Sequence, residues 1–165
     1  MDLVIGKRMS LSKKTYKDEG EVAEAIAKML LRATKSVDYS TGLSATFHAR
    51  PDVANAFLTA TERTRSFRVL LDSYVDVANF KANPELRWLL DLWQNKKVEI
   101  RKSEQRIPHR VIVDERDFRL ETSHPPGETG DKNLILLNAD DTVSNYTKPK
   151  IAEFENTWVA SKPIE

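Results

Sequence analysis

Between residues 19 and 101 the chain alternates helix-like and strand-like segments, and this alternation limits the fold more than any other feature. Apolar residues recur at helical spacing after residues 19, 51 and 83, and Pro51 and Pro84 occupy the first-turn position that helices favour for proline. Strands are predicted at residues 36–41, 67–72 and 98–101. Strands connected through helices form right-handed crossovers, so the pattern predicts an α/β fold with a mostly parallel sheet.

The second half of the chain predicts antiparallel pairing. Two strands are predicted at residues 107–114 and 117–123, and the short polar link between them indicates a β-hairpin. Residues 133–138 are a continuous apolar run, typical of a strand buried inside a sheet. The predicted architecture is a three-layer α/β sandwich, in which helices flank a mixed and mostly parallel sheet. It ends with a helix from Asp141 onward that carries one apolar face of Ile151, Phe154, Trp158 and Val159.

Size and composition predict one ordinary globular domain. The chain has 165 residues, of which 40% are apolar, enough for a core without disulfides or metal staples. Residues 1–18 are polar and basic, so we expect an N-terminal arm at 1–18 and a domain at 19–165. The net charge of +1 argues against a strong overall attraction to nucleic acid or membranes. Cysteine is absent and no apolar segment reaches the length of a membrane span or secretory signal, so a cytoplasmic location is expected.

Motifs that hold cofactors or metal ions are missing from the sequence. It contains no glycine-rich phosphate loop, no His-Glu-x-x-His pair and no Gly-x-Ser-x-Gly turn. The histidines His48, His109 and His124 are too scattered along the chain to indicate a metal site. We therefore expect neither a cofactor nor a metal ion.

His109 is the most informative polar residue because it lies within an apolar strand. Its side chain is expected on the same face as Ile107, Val111 and Val113. One interpretation is a half-buried histidine with a backbone or carboxylate partner. The other is a ligand-facing histidine on a pocket floor, because an imidazole can titrate near neutral pH and donate a hydrogen bond to a phosphate or carboxylate.

Arg119 and Glu121 are two residues apart on the second hairpin strand and therefore share a face. One interpretation pairs them across the hairpin with Arg110 or Asp114 on the solvent side. The other places Arg119 on a ligand anion, and the sequence leaves both open. Three further arginines are expected to be solvated surface charges: Arg68, Arg101 and Arg106.

The order of elements resembles one repeat of the phospholipase D superfamily over residues 20–160. Matching strings are ATKSVDY at residues 33–39, where a helix leads into a strand, and VIVD at residues 111–114, where a strand ends. The signature strand of that family reads His-x-Lys-x-x-x-x-Asp. In the family the histidine attacks phosphorus to form a phosphohistidine, the lysine neutralises phosphate charge and the aspartate closes the motif.

The catalytic residues of that signature are altered in this chain. With the last aspartate aligned on Asp114, Ile107 occupies the histidine position and His109 the lysine position. The family's following Gly-Ser-x-Asn segment falls near residues 121–124 and is altered too. Isoleucine cannot attack phosphorus, so the resemblance implies a pseudoenzyme rather than an enzyme. The chain is similar to non-catalytic members of the family, namely the ligand-sensing domains of archaeal transcription regulators and the phosphoinositide-binding domains of membrane-remodelling proteins.

This resemblance implies a regulatory or signalling domain that binds a small anionic ligand or a protein partner. Family members with one motif copy pair two-fold, which implies a homodimer with a self-complementary interface. Open α/β sheets bind ligands at the carboxyl ends of their parallel strands. The expected ligand-binding residues are Ser40, Thr41, Asp72, Ser73, His109, Arg119, Glu121 and His124.

Two other functions stay open. A phosphodiesterase or nuclease could use His109 as its nucleophile in a shifted register, with Arg110 or Arg119 on the phosphate. A nucleic-acid-binding protein could use the basic start of the chain and the arginine-rich hairpin, although the near-zero net charge counts against it.

Overall fold

The fold is built on a mixed β-sheet, seen here in a computed structural model of the chain. The structure describes residues 10–13, 19–124, 134–137 and 144–165. Within them the strands lie across the sheet in the order β1-β7-β6-β5-β2-β3-β4-β8. In chain order these strands are β1 (Ser10–Lys13), β2 (Ser36–Thr41), β3 (Ser66–Leu71), β4 (Glu99–Lys102), β5 (His109–Val113), β6 (Asp117–Glu121), β7 (Leu134–Leu137) and β8 (Lys162–Pro163).

Helices join the strands and begin at favourable residues. Pro51 lies in the first turn of the helix Pro51–Arg63. The Asn83 side chain accepts the Glu85 N–H at 2.9 Å and so caps a 3-10 turn at Pro84–Leu86. No helix among the described residues is long and apolar enough to cross a membrane. The helices are α1 (Glu19–Leu31), α2 (Ala45–His48), α3 (Pro51–Arg63), α4 (Val77–Ala82), α5 (Arg87–Gln94) and α6 (Ser144–Ala160).

Apolar cores on the two faces of the sheet make a three-layer sandwich. Helices α1, α3 and α5 cover one face, where Phe57 is fully buried. Helix α6 covers the other face through Phe154 and Trp158, which pack with Leu70, Ile112 and other apolar side chains. The predicted class, a mixed α/β sheet flanked by helices, is confirmed. The sheet is mixed but not mostly parallel as expected, because the second half of the chain adds antiparallel strands. The parallel pairs are β2–β3 and β3–β4, and the remaining strand pairs of the described sheet are antiparallel.

This topology gathers several chain segments at one edge of the sheet. The carboxyl ends of β2, β3 and β4 lie there because these strands are parallel. Strand β5 runs antiparallel to β2, so its first residue, His109, reaches the same edge. Strand β6 runs antiparallel to β5, and its last residue, Glu121, pairs with His109.

Asp114 connects the hairpin to the start of β2. Its Oδ1 accepts the backbone N–H groups of Lys35 and Ser36 at 2.7 and 3.0 Å, and its Oδ2 accepts that of Thr34 at 3.0 Å. Burial acts to raise the pKa of Asp114, but these hydrogen bonds outweigh it and hold the pKa below its usual value. Asp114 therefore has a structural role here, and the interpretation that pairs it with Arg119 or Glu121 is wrong.

Other sequence predictions differ from the structure in detail. Helices α2 and α4 were not predicted, because four and six residues are too few to establish a helical period. Val159 is 68% exposed, so it does not share the buried face of Phe154 and Trp158. The expected helix start near Asp141 and most of the expected arm lie outside the described residues. Ser10–Lys13, within that arm, forms β1, an edge strand of the sheet that pairs antiparallel with β7.

Candidate functional site

A cavity of about 180 Å³ lies at this edge of the sheet, between the strand ends and helices α1 and α2. We call it the His109 pocket. Apolar side chains such as Val22, Ile26 and Phe47 line its helix side. Its polar lining comes mainly from the strand ends and the loops after them: Ser40, Thr41, Ser44, Tyr74, His109, Arg119, Glu121 and His124.

His109 and Asp72 form a hydrogen-bonded pair beside this pocket. His109 Nε2 donates to Asp72 Oδ2 at 3.0 Å, and Ser123 Oγ donates to the same oxygen at 2.7 Å. Asp72 Oδ1 accepts the backbone N–H groups of Ser73 and Ile107 at 2.7 and 3.3 Å. Burial acts to raise the pKa of Asp72, but these hydrogen bonds, led by the one from His109, hold it below its usual value. Asp72 is therefore a buried carboxylate that orients the His109 ring.

A second charged group lies beside His109 on the same face of the sheet. Arg119 Nη2 donates to Glu121 Oε2 at 2.7 Å, and the two side chains are only 4% and 8% exposed. His124 Nε2 lies 3.4 Å from the same carboxylate oxygen. The His109 and His124 rings meet edge to face with centroids 4.9 Å apart. One donor atom from each of His109, Glu121 and His124 lies within 4.8 Å of the other two, so these residues could hold a metal ion.

Tyr74 forms one side of the pocket. Its hydroxyl donates to the backbone carbonyl of His124 at 2.6 Å, and the Arg106 guanidinium lies over its ring, 4.8 Å from the centroid. Burial raises the pKa of Tyr74 to about 12, so the hydroxyl keeps its proton at neutral pH. A Cβ at position 42 would lie 1.7 Å from the Tyr74 hydroxyl and 3.2 Å from His109 Cε1, so glycine at this position permits the close approach.

A further histidine, His48, lies at the base of the pocket, where its hydrogen bonds have a structural role. His48 Nδ1 donates to the backbone carbonyl of Ser44 at 2.8 Å, so in the neutral ring Nε2 accepts the Tyr39 hydroxyl at 3.1 Å. Phe47 and Phe57 contact the His48 ring edge to face. Burial lowers the pKa of His48 to about 4, so this ring is neutral at physiological pH.

This depressed pKa makes folding stability depend on pH. The unfolded chain binds a proton at His48 near pH 6.5 and the native chain does not, so stability falls as the pH drops from 6.5 toward 4. We expect wild type to lose about 2 kcal/mol of unfolding free energy through His48 between pH 7.5 and pH 5. Urea unfolding of wild type and His48→Gln at pH 7.5 and pH 5 measures this change in unfolding free energy. An equal pH dependence in the two proteins would contradict this role.

The structure brings most of the expected ligand-binding residues together. Ser40 and Thr41, at the end of β2, line the pocket together with His109, Arg119, Glu121 and His124. Asp72 lies behind His109, and Ser73 contacts Asp72 rather than the cavity. Ser40 Oγ also donates to the carbonyl of Pro108 at 2.8 Å, which fixes the entry to β5.

Several residues of the site could not be found from sequence. Tyr39 occupies a position that the sequence predicts as an ordinary strand residue, and His48 lies in the short helix α2, which was not predicted. Tyr74 and Ser123 lie in loops, and Arg106 read as a surface charge. These residues share a position near the carboxyl ends of the strands. This shared position can be recognised only when the order of the strands in the sheet is known.

Within the part of the chain that the structure describes, the hairpin does not form the solvent-side ion pairs of the first interpretation. Arg119 and Glu121 pair with each other inside the protein. Arg110 is 7% exposed on the opposite face and donates to Glu153 at 2.6 Å. Arg68, expected to be solvated, makes two hydrogen bonds to Asp38 at 2.7 and 3.0 Å. Burial of Arg110 and Arg119 removes them from any nucleic-acid-binding surface on the hairpin.

Two registers of the signature strand can be compared with the pocket. Ile107 packs in the core under α6 and not on the face of His109, where it was expected, because β5 begins at His109 and the alternation does not extend back to Ile107. A histidine equivalent is therefore missing from the pocket if His109 takes the lysine position. Val111 lines the pocket on the same face as His109, so a lysine equivalent is missing if His109 takes the histidine position. Neither register provides both ionisable side chains of the motif.

Comparison with known proteins identifies the fold. No family model and no curated protein sequence matches the chain. Nuc from Salmonella typhimurium, a phospholipase D family member, is similar in structure, with a TM-score of 0.65 at 13% identity over 95% of this chain and 99% of that one. NucT from Helicobacter pylori has a TM-score of 0.61 at 13% identity over 94% of this chain and 98% of that one.

A third similar structure is that of TrmBL2, an archaeal chromatin protein with a novel mode of DNA binding. It has a TM-score of 0.65 at 14% identity and covers 98% of this chain, which spans 56% of the TrmBL2 chain. At such identities the likeness concerns architecture. The chain therefore has a phospholipase D-like fold.

Proposed function

We propose that this chain binds a small anionic ligand in the His109 pocket and transfers no phosphoryl group. The observation that carries the proposal is the incomplete His-x-Lys pair. His109 faces the site, Val111 stands two residues later on the same face, and Ile107 is buried in the other core. A site of this fold that has an imidazole at His109 but valine instead of lysine two residues later suits ligand binding better than the chemistry of the signature strand.

Hydrogen-bond donors around the pocket support an anionic ligand. The Thr41 hydroxyl oxygen accepts the Leu43 N–H at 2.9 Å, which leaves the hydroxyl proton for a ligand. His109 and His124 contribute imidazoles to the lining, and the half-exposed Arg106 lies over the ring of Tyr74, which also lines the pocket. Charge-assisted hydrogen bonds from such groups favour phosphate or carboxylate oxygens.

A thermal-shift screen tests this proposal with inorganic phosphate, AMP, glycerol 3-phosphate and the neutral sugar glucose in chelator-free buffer. An anion at ten times its Kd should raise Tm by about 3–5 °C. Arg106→Gln should weaken the response. Arg87→Gln is the matched control, because this exposed arginine on α5 pairs with Asp91 at 2.9 Å, away from the pocket. A response to glucose alone, to none of the probes, or equally reduced in both variants would contradict the proposal.

The proposal includes a regulatory or signalling role in a homodimer. The likeness to part of TrmBL2, a chromatin protein longer than this chain, supports a regulatory setting. A homodimer is expected from the pairing of phospholipase D-like domains with one motif copy. Light scattering should then give twice the 18.9 kDa mass of one chain. A mass of 18.9 kDa at high protein concentration would exclude the dimer.

The His109–Asp72 pair favours a second candidate function, a phosphodiesterase. A histidine oriented by a buried carboxylate is an arrangement used for nucleophiles and bases, and the Arg119 guanidinium lies on the strand position opposite Val111. Hydrolysis of bis(4-nitrophenyl) phosphate that disappears in His109→Ala would establish this function in place of ligand binding. Hydrolysis that survives His109→Ala would exclude it.

A further inference from the structure

We propose that His109, Glu121 and His124 bind one divalent transition-metal ion, for which zinc is the probe. Two imidazoles and one carboxylate form the three-ligand donor set of zinc sites that keep an open fourth position. The pocket offers that open position beside these residues. The chain has no cysteine, so a zinc ion here would be held by nitrogen and oxygen atoms. This inference goes beyond the proposed function, because the ion needs no anionic ligand to bind.

The distances between the donor atoms fit a site that closes around an ion. Glu121 Oε2 and His124 Nε2 are 3.4 Å apart. Bonds to zinc of about 2.0–2.1 Å place tetrahedral ligands about 3.3 Å apart, so this pair already has the required spacing. His109 completes a triangle whose sides do not exceed 4.8 Å, and a small side-chain movement would close it.

Neighbouring residues form hydrogen bonds with the proposed ligands and orient them. His109 donates its Nε2–H to Asp72, which leaves the lone pair on Nδ1, the other ring nitrogen. A carboxylate that holds a histidine in this way orients a metal-binding ring. Arg119 binds Glu121 Oε2, and a carboxylate has lone pairs enough to accept that hydrogen bond and bind an ion as well.

The charges of the pocket also favour a cation. Glu19, Asp72 and Glu121 are the carboxylates that line or support it, and Arg106 and Arg119 are the guanidiniums. Three negative and two positive groups leave one negative charge when the histidines are neutral. A divalent ion would convert this into one positive charge and would attract an anion to its open position.

The chain has three histidines, which makes a sharp test possible in the folded wild-type protein. Zinc chloride is added without any anionic ligand, and the imidazole signals are followed by ¹⁵N–¹H NMR. The signals of His109 and His124 should shift together and saturate at one zinc per chain. The His48 signal should not respond, because Ser44 and Tyr39 already occupy both of its ring nitrogens.

Calorimetry of zinc binding supplies an independent measurement. We expect His124→Gln to weaken zinc affinity at least 100-fold, Asp72→Asn to weaken it 10–100-fold as an outer support, and Asp91→Asn, at an exposed position on α5 outside the pocket, to leave it unchanged. Far-UV circular dichroism confirms that each variant is folded. Absent binding, binding that shifts His48, or binding unaffected by His124→Gln would overturn the site. Anion binding is measured separately, so each proposal can fail without the other.

Discussion

Asp72→Ala is expected to lower the free energy of unfolding by about 3–5 kcal/mol. The Asp72 side chain is fully buried and accepts hydrogen bonds from His109, Ser123 and the backbone N–H groups of Ser73 and Ile107. Alanine would leave these donors without their acceptor inside the protein. The loss is large beside the total stability of about 5–15 kcal/mol that is usual for a domain.

Urea unfolding at pH 7 measures this effect. Asp72→Asn should cost less than Asp72→Ala, because the amide keeps one oxygen that can accept hydrogen bonds. Asp91→Ala is the control, since Asp91 is 52% exposed and pairs with Arg87 on the surface of α5. It should change stability by no more than about 0.5 kcal/mol. Equal effects of Asp72→Ala and Asp91→Ala would show that the site is not held by its carboxylate.

Arg119→Met is expected to cost about 3–5 kcal/mol, and adding Glu121→Leu should recover part of that loss. The guanidinium and carboxylate are both buried and 2.7 Å apart, so removing Arg119 leaves the Glu121 charge inside the protein without its nearest cation. Removing both charges replaces the pair by apolar side chains of similar size, which buried sites commonly tolerate.

A double-mutant cycle measured by urea unfolding tests this pair. The matched cycle uses Arg87→Met and Asp91→Leu, an exposed pair with a separation of 2.9 Å, where each change should stay within about 0.5 kcal/mol. The account predicts that the double variant at positions 119 and 121 is more stable than Arg119→Met alone. A double variant at least as unstable as the sum of the single ones would contradict a coupled buried pair.

Much of the fold could be predicted because its signals are local. The strand at residues 36–41 was predicted with the bounds of β2, and Pro51 and Pro84 correctly indicated helical starts. The hairpin of β5 and β6 followed from two apolar runs and a short link. Short helices such as α4 were not predicted, because six residues are too few to show a helical period.

The site could be predicted in part. Thr41 and Asp72 were expected at the edge of the sheet because parallel strands end there, and His109 was expected because it is a polar residue in an apolar strand. One interpretation paired Arg119 and Glu121 with other residues on the solvent side, whereas they pair with each other inside the protein. Alternation along a strand tells which residues share a face and not which face is buried. The proximity of His109, Glu121 and His124 depends on the β5–β6 register and on the path of the chain after β6, which sequence spacing does not reveal.

Isothermal titration calorimetry with bis(4-nitrophenyl) phosphate tests most directly whether the His109 pocket binds an anion without phosphoryl transfer. This probe is both an anion and a hydrolysable phosphodiester, so binding and turnover give different heat signals in one experiment. The account predicts heats that saturate at one molecule per chain and a power trace that returns to baseline. A trace that stays displaced by continuous hydrolysis, or no heat at all, would contradict it.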